Sequence, residues 1–393
     1  MNSRSKGYPH ILVLGGGYAG LLAASSLRRE LPNAKITLVD GRENFSHRVR
    51  WHESLVGETI ETINYQKFSF EREIEFLQAT VDKLEPEANK VHIRSGNTTL
   101  SLDYDELVYA LGSTSVPLWE ARKPASVYAL NNVTELLEAQ RNLAITNRLV
   151  VIGSGLSAIE YAAEVAESFP LIQIKLLTRS SLLSAYSSAA QNYARSTMAE
   201  MGIDVVENSE IVALENDHCI SANGDRIAFD MCLCSAGFCA SPVWRNSNLP
   251  SRDNGQIAVD KFMRAVSYEN VWVAGDAAYG EAGGHATLRM SCASACATAP
   301  LMALNIARQQ RGEELILHTP FYFCHCISFG RTRGLIQMVT PDDKMLPTVV
   351  TGEIAVATKT QISAAVLSTL LWDGQASQQG WWPDFELIMQ VAA

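Results

Sequence analysis

The stretch His10 to Gly20, HILVLGGGYAG, constrains this chain more than any other. Four consecutive apolar residues, Ile11 to Leu14, fit a buried parallel strand and run straight into Gly15-x-Gly17-x-x-Gly20. Each glycine has its own task. Gly15 makes the tight turn, Gly17 lets a pyrophosphate approach the backbone, and Gly20 lets the following helix lie close to its strand. Free N–H groups and the dipole at the helix start then favour negative charge. Leu21 to Leu31 is compatible with that helix, and a second strand, Lys35 to Val39, ends on Asp40, an acid placed to bond ribose hydroxyls. Strand, glycine turn, helix and acid in this order predict a dinucleotide-binding unit. Arg4 and Lys6 ahead of the apolar run also fit a secretory leader, but the continuation into a strand ending in Asp40 argues against one.

The same pattern returns about 138 positions later, in RLVVIGSGLSAIE from Arg148 to Glu160. A strand, Leu149 to Ile152, leads into Gly153-x-Gly155-x-x-Ala158, a helix through Ala166 and a strand from Ile174 to Leu177. Two such units in one chain are an internal repeat of a dinucleotide-binding fold. They differ where the cofactor is chosen. The second strand pair ends in Thr178-Arg179-Ser180, with no acid for ribose hydroxyls and a guanidinium suited to a 2′-phosphate. NADPH is therefore expected there, with NADH as the alternative.

A third landmark is NVWVAGDAA, Asn270 to Ala278, where a buried strand, Val271 to Ala274, ends in Gly275-Asp276. A small-residue helix is expected from about Thr287. Between the glycine units, Ile74 to Ala79 and Lys90 to Arg94 read as strands of a meander. Tyr104 to Ala110 reads as a buried strand ending in Leu111-Gly112-Ser113, where small residues permit close backbone approach. From His318 onward, FYFCHCISFG and RGLIQMV read as paired strands, Glu353 to Leu371 as a helix, and Trp381-Trp382-Pro383 as a tail for packing or dimer contacts.

The rest of the chain limits the alternatives. At 393 residues it needs more than one core. A net charge of −10 disfavours nucleic acid as a general partner. No run approaches about 18 uninterrupted apolar residues, so no transmembrane span is expected. All eight cysteines lie beyond residue 218, which fits free thiols in a reducing cytoplasm. Cys232 with Cys234 and Cys324 with Cys326 put paired side chains on one strand face, and Cys292 with Cys296 share a helix face. Zinc-type spacing is missing, and small buried hydrophobes are the simpler reading, so no metal is expected.

In this order, GGGYAG with Asp40, YDELVYALGS, GSGLSAIE and NVWVAGDAA resemble the flavoprotein pyridine-nucleotide reductases with two dinucleotide-binding domains, over about residues 8 to 315. The C-terminal part looks most like the branch of type II NADH dehydrogenases and apoptosis-inducing-factor-like proteins. The resemblance implies an α/β fold with two Rossmann-like domains, the first for FAD and the second for NAD(P)H, and a small C-terminal α+β domain. Its boundaries would be 1–115 and 250–317 for the FAD domain, 116–249 for the NAD(P)H domain and 318–393 for the C-terminal domain. Cofactor contacts would come from Gly15, Gly17, Tyr18, Ala19, Gly20, Asp40, Gly41, Arg42, Arg48, Val81, Ala110, Leu111 and Gly112. The second unit and the closing strand would add Gly153, Gly155, Leu156, Ser157, Ala158, Glu160, Thr178, Arg179, Gly237, Gly275, Asp276 and Ala277.

The departures matter too. Residues 41 to 60 contain no cysteine and CxxC occurs nowhere, so a disulfide reductase is not expected. The helix after the GD strand reads TLRMSCASACATA, without the glutamine-containing quinone motif of type II dehydrogenases. The basic stretch HRVRWHE, His47 to Glu53, falls where glutathione-reductase-type enzymes keep their redox cysteine. If it is helical, Arg48 and His52 share a face: Arg48 would orient an anionic or carbonyl group, His52 would exchange a proton near neutral pH, and Glu53 would orient it. Alternatively Arg48 and Arg50 bond the FAD pyrophosphate or a neighbouring loop. The expected activity is hydride transfer from NAD(P)H through flavin to a quinone or other small organic acceptor, with a homodimer possible. An oxygen-reoxidised flavin oxidase of a small metabolite and a nucleotide-sensing interaction protein are the alternatives.

Overall fold

The structure, a computed structural model, describes residues 8–371 apart from 117, 119–122, 283–285 and 320–321. The tail containing Trp381, Trp382 and Pro383 lies outside the described residues.

The chain opens with β1 (His10–Leu14), α1 (Tyr18–Glu30) and β2 (Lys35–Asp40), a crossover that places β2 parallel to β1 with Leu14 opposite Val39. A 3₁₀ turn over Arg48–Arg50 leads into the short helix α2 (Trp51–Leu55). Glu75–Gln78 (β3) then pairs in parallel with β2. It is therefore the edge of the parallel sheet and not part of the meander expected for Ile74 to Ala79. The meander is made instead by β4 (Thr80–Glu85), β5 (Lys90–Ser95) and β6 (Thr98–Asp103). β7 (Glu106–Tyr109) returns to the first sheet beside β1.

β8 (Ser113–Ser115) leads out of this sheet towards a second one. That sheet contains β9 (Val127–Tyr128), β10 (Arg148–Ile152), β11 (Gln173–Leu177), β12 (Asp204–Val206) and β13 (Met231–Cys234), all parallel, in the order β9-β13-β10-β11-β12. The helix α3 (Leu156–Ser168) connects β10 to β11 as α1 connects β1 to β2. β14 (Phe238–Ala240) pairs antiparallel with β8, so the two crossings between sheets form one ribbon. β15 (Val271–Val273) completes the first sheet, whose order is β15-β7-β1-β2-β3. Apolar runs buried on both faces are what such parallel strands require, and Ile11 to Leu14 and Val271 to Ala274 are all fully buried.

The helix after β15, α4 (Cys292–Arg311), starts five residues later than Thr287, at a serine cap: Ser291 accepts from the Ser294 N–H. It packs along α1, with Gly275 wedged between Ala19 and Ala295. The remainder forms β16 (Cys324–Phe329), β17 (Arg333–Val339) and β18 (Met345–Thr351), an antiparallel sheet in that order, covered by α5 (Glu353–Leu371). By length and composition α5 could cross a membrane, with a mean hydropathy of 1.4 and 22% of that window buried. Thr358, Lys359, Gln361 and Ser363 interrupt its apolar run. Ala355, Ser363, Val366 and Leu370 form its buried stripe.

Candidate functional site

The first glycine turn is built as its sequence requires. Gly15 has a φ of +96°, where a side chain is strained, and a Cβ there would run into the Ala110 carbonyl. A Cβ at Gly20 would strike the Gly15 carbonyl, so this glycine sets how closely α1 approaches the turn. Gly17 is different: nothing lies within 4 Å of the position its Cβ would take, and it begins α1 without a side-chain cap. Helices starting at Tyr65, Val133, Ser188 and Cys292 are capped by Asn64, Asn132, Ser187 and Ser291. Bare glycine therefore leaves the first-turn donors of α1 for an outside acceptor.

Asp40, 7% exposed at the end of β2, accepts from the Gly16 N–H at 2.7 Å and from the Arg42 N–H at 2.8 Å. Arg42 also donates Nε at 2.9 Å and Nη2 at 2.7 Å. Burial pushes the Asp40 carboxyl up, but the Arg42 hydrogen bonds and charge outweigh it and hold the group below the ordinary range. Gly41 follows, its Cβ position 3.1 Å from the Thr80 hydroxyl. Val81 is buried on β4 opposite Ile93. Ala110 is buried, and Leu111 and Gly112, the latter at φ +66°, are half-buried where β7 leaves the sheet.

The second turn repeats the first. Gly153 lies at φ +142° with its Cβ position blocked by the Ser235 carbonyl, and 3.2 Å from Ala158. Gly155 starts α3 without a side-chain cap, again with open space beside it. Leu156 and Ser157 are half-buried at that helix start. Thr178 is fully buried, its hydroxyl donating to the Ser180 carbonyl at 2.5 Å. Arg179 is exposed and forms no hydrogen bond or ion pair among the described residues. Arg42 is locked by an acid; Arg179 is free to take an anion.

A polar chain runs from Arg48 through Ser113 to Asp276 beside the first sheet. Arg48 donates Nη1 to the Ser113 carbonyl at 3.1 Å, and its guanidinium lies 5.5 Å from the Trp51 ring and 5.3 Å from Phe238. Ser113 donates its hydroxyl to Asp276 Oδ2 at 2.5 Å. Burial raises the Asp276 carboxyl above its ordinary value, opposed by Ser113 and by the Arg48 charge. Gly275 and Ala277 flank Asp276, and Gly237, at φ +119°, precedes Phe238 on the ribbon. Tyr18 shares its hydroxyl with His47 Nδ1 at 3.0 Å.

His52 goes elsewhere. Residues 48–50 make a 3₁₀ turn and α2 begins only at Trp51, so the shared face expected for Arg48 and His52 is not formed. His52 is 3% exposed, its Nε2 3.3 Å from Ser328 Oγ and 3.2 Å from Lys359 Nζ. Lys359 donates to Glu160 Oε1 at 2.6 Å and to Ser328 Oγ at 2.6 Å, and Glu160 Oε2 lies 3.8 Å from His52 Nδ1. Burial, then the charges of Lys359, Arg331 and Arg50, pushes the His52 imidazole well below its usual range. Proton exchange by His52 near neutral pH is therefore not what this environment supports. Glu53 is engaged by Arg50, through Nε at 3.1 Å, and by Arg331 at 3.4 Å. Glu160, expected as a cofactor contact, anchors this cluster, and burial raises its carboxyl while Lys359 opposes. Sequence reasoning missed Lys359 and Ser328. The signal was present in Lys359: it is the only charged residue between Ile354 and Leu371.

Among the described residues no group of three or more His, Cys, Asp or Glu side chains is placed to hold a metal ion.

Known proteins align with this geometry. The family model described as pyridine nucleotide-disulphide oxidoreductase matches residues 9–299. A type II NADH:quinone oxidoreductase of Staphylococcus aureus is 25% identical over 343 residues, 77% of this chain and 83% of that protein. The sulfide:quinone oxidoreductase of Aquifex aeolicus superposes with a TM-score of 0.78 at 20% identity, covering 98% of this chain and 95% of the other. NDH2 of Plasmodium falciparum in complex with NADH gives 0.76 at 12% identity, covering 95% and 100%. The uncapped starts of α1 and α3, each on a strand-turn-helix that only glycine allows, suit a long phosphate-bearing cofactor and a nicotinamide nucleotide. The chain belongs to the pyridine nucleotide-disulphide oxidoreductase family, and is an FAD- and NAD(P)H-dependent oxidoreductase.

Proposed function

We propose that this enzyme takes hydride from NADPH in preference to NADH and passes the electrons to a quinone-like small organic acceptor. The carrying observation is the contrast between the two strand ends: Asp40 neutralises Arg42, whereas Arg179 stands exposed and unengaged beside buried Thr178. In this reading the α1 turn (Gly15, Gly17, Tyr18, Ala19, Gly20) and Asp40 hold FAD. Gly41, Arg42, Val81, Ala110 to Gly112 and Gly275 to Ala277 line the same cofactor. The α3 turn (Gly153, Gly155 to Ala158), Thr178, Arg179 and Gly237 receive the nucleotide. FAD supplies the two-electron chemistry.

The chain's own contribution is positional. First-turn donors of both helices bind phosphates, Ser113 fixes Asp276, and Arg48, held over Trp51 and Phe238, offers a fixed positive charge to an anionic or carbonyl group of the acceptor. Support for a quinone-like acceptor comes from the relative named as an NADH:quinone oxidoreductase. In the test, protein reduced anaerobically by NADPH is mixed in separate runs with a water-soluble quinone, a dye or oxygen, and flavin reoxidation is followed. Fastest return with the quinone supports the reading, and no response to the quinone refutes it.

A further inference from the structure

Arg179 stands near the start of a loop, residues 178–187, that runs from β11 to the helix Ser188–Glu200. The first arm of this loop is fixed within the second dinucleotide unit. The Thr178 hydroxyl donates to the Ser180 carbonyl at 2.5 Å, and the Ser209 N–H donates to the Thr178 carbonyl at 2.8 Å. Leu182, fully buried, donates its N–H to Glu207 Oε1 at 2.7 Å. Leu183 is buried at φ +52°, a left-handed backbone that leucine takes up only where its surroundings impose it. The Ser180 and Ser184 hydroxyls lie 3.3 Å apart and tie the two arms together.

The second arm is held from outside that unit, by the C-terminal sheet. Tyr186 shares its hydroxyl with His325 Nδ1 of β16 at 2.9 Å, the two rings meeting edge to face with centroids 5.2 Å apart. Ser187 caps the helix by accepting from the Ala190 N–H at 3.2 Å. Its hydroxyl donates at 2.6 Å to Oε1 of Gln337, a fully buried residue of β17. His325 is itself fixed: its Nε2 lies 3.1 Å from Asp343 Oδ1, and Asp343 also accepts from Arg289 Nε at 2.6 Å. Burial pushes the Asp343 carboxyl up, but the hydrogen bonds from His325 and Arg289 outweigh it and hold the group below the ordinary range. An ionised carboxylate accepts the proton on Nε2, which leaves Nδ1 of the neutral ring to accept from Tyr186.

We propose that His325, acting through Tyr186, is a positioning residue for NADPH selection: the C-terminal sheet holds the 178–187 loop in the form that aims Arg179 at the 2′-phosphate. The proposal rests on the NADPH reading above. An exposed arginine on a loose loop has to be ordered together with its backbone when the ligand arrives, whereas on an anchored loop only the side chain is ordered. NADH has no 2′-phosphate and makes no use of Arg179, so the benefit of anchoring falls to NADPH alone. Selection then depends on a residue 139 positions from Tyr186 and outside the second sheet, and not on the end of β11 by itself.

Tyr186→Phe removes the hydroxyl and keeps the ring against His325. Flavin-loaded protein is titrated by calorimetry with NADP⁺ and with NAD⁺, which differ only in the 2′-phosphate. The variant should bind NADP⁺ about three- to tenfold more weakly, the contribution of one neutral hydrogen bond, and NAD⁺ within about twofold of wild type. His325→Leu should do the same, and His325→Asn, which keeps an acceptor where Nδ1 stands, should restore NADP⁺ binding. In an Arg179→Ala background Tyr186→Phe should change neither constant, because the tyrosine acts only through the arginine. Hydrogen exchange gives the structural readout: amides of residues 180–187 should exchange faster in Tyr186→Phe and at the wild-type rate in Arg179→Ala. Equal losses for both nucleotides, a full effect without Arg179, or unchanged exchange over 180–187 would overturn the positioning role. A preference for NADP⁺ that survives Tyr186→Phe sinks that role and leaves the NADPH reading standing. A wild type that binds both nucleotides alike overturns the reading, and selection through His325 falls with it.

Discussion

Replacing Lys359 with methionine isolates the buried cluster that ties the C-terminal sheet to the second dinucleotide unit. Lys359 and Glu160 side chains are 13% and 10% exposed, and the pair joins α5 to α3. Removing one partner of a buried pair costs about 3–5 kcal/mol, because the other charge is left uncompensated. His52 stays beside Glu160, its Nδ1 3.8 Å from Oε2, so the lower part of that range is expected. The pH dependence gives the sharper test. Glu160 is already raised by burial, and loss of Lys359 raises it further. A carboxyl raised in the folded state penalises stability as pH climbs from its unfolded value through its folded one, so the variant suffers most in alkali. His52 acts in the same direction: its depression comes from burial and then from Lys359, so the variant lets it protonate more readily and serve as the missing cation in acid. In urea unfolding, the loss relative to wild type should therefore be about 3 kcal/mol near pH 8.5 and about a third of that near pH 5.5. Adding Glu160→Gln should recover much of the alkaline loss. An equal loss at both pH values, or one below about 1 kcal/mol as for exposed pairs, would refute the reasoning.

Three further outcomes follow from named contacts. Arg179→Ala should raise the NADPH dissociation constant about ten- to a hundredfold, the loss of one charge-assisted hydrogen bond of about 1.5–3 kcal/mol, and leave NADH nearly unchanged; equal losses would make Arg179 structural. Asp40→Ala should yield folded protein that loses flavin on dialysis, since the change frees the Gly16 N–H and Arg42 together; full flavin occupancy would remove Asp40 from the cofactor site. Arg48→Ala should leave flavin reduction by NADPH near normal in stopped flow and slow reoxidation by acceptor, whereas loss of FAD would make Arg48 a cofactor ligand.

What could be read from the sequence was local. A turn that forbids a Cβ announces itself, so Gly15, Gly20 and Gly153, and the strands and helices either side of them, were legible in place. Misreadings came where several partners compete for one element. Ile74 to Ala79 is equally suited to a meander or a parallel edge, and only Leu38 and Val39 on β2 decide it, by pairing with Phe76 and Leu77. α4 starts at Cys292 because Ser291 supplies its cap. The His52, Glu160, Ser328 and Lys359 cluster draws on four distant segments, so no local pattern contains it. Arg48 and His52 parted because three residues of 3₁₀ turn changed the angle between them, a shift invisible to helical spacing.

The account turns on electrons entering from a nicotinamide nucleotide. Purified protein titrated with NADPH under nitrogen should begin yellow, with the absorbance of oxidised flavin, and bleach at one NADPH per flavin. Protein that carries flavin but keeps its colour through excess NADPH and NADH, and bleaches only with an organic substrate, would contradict it.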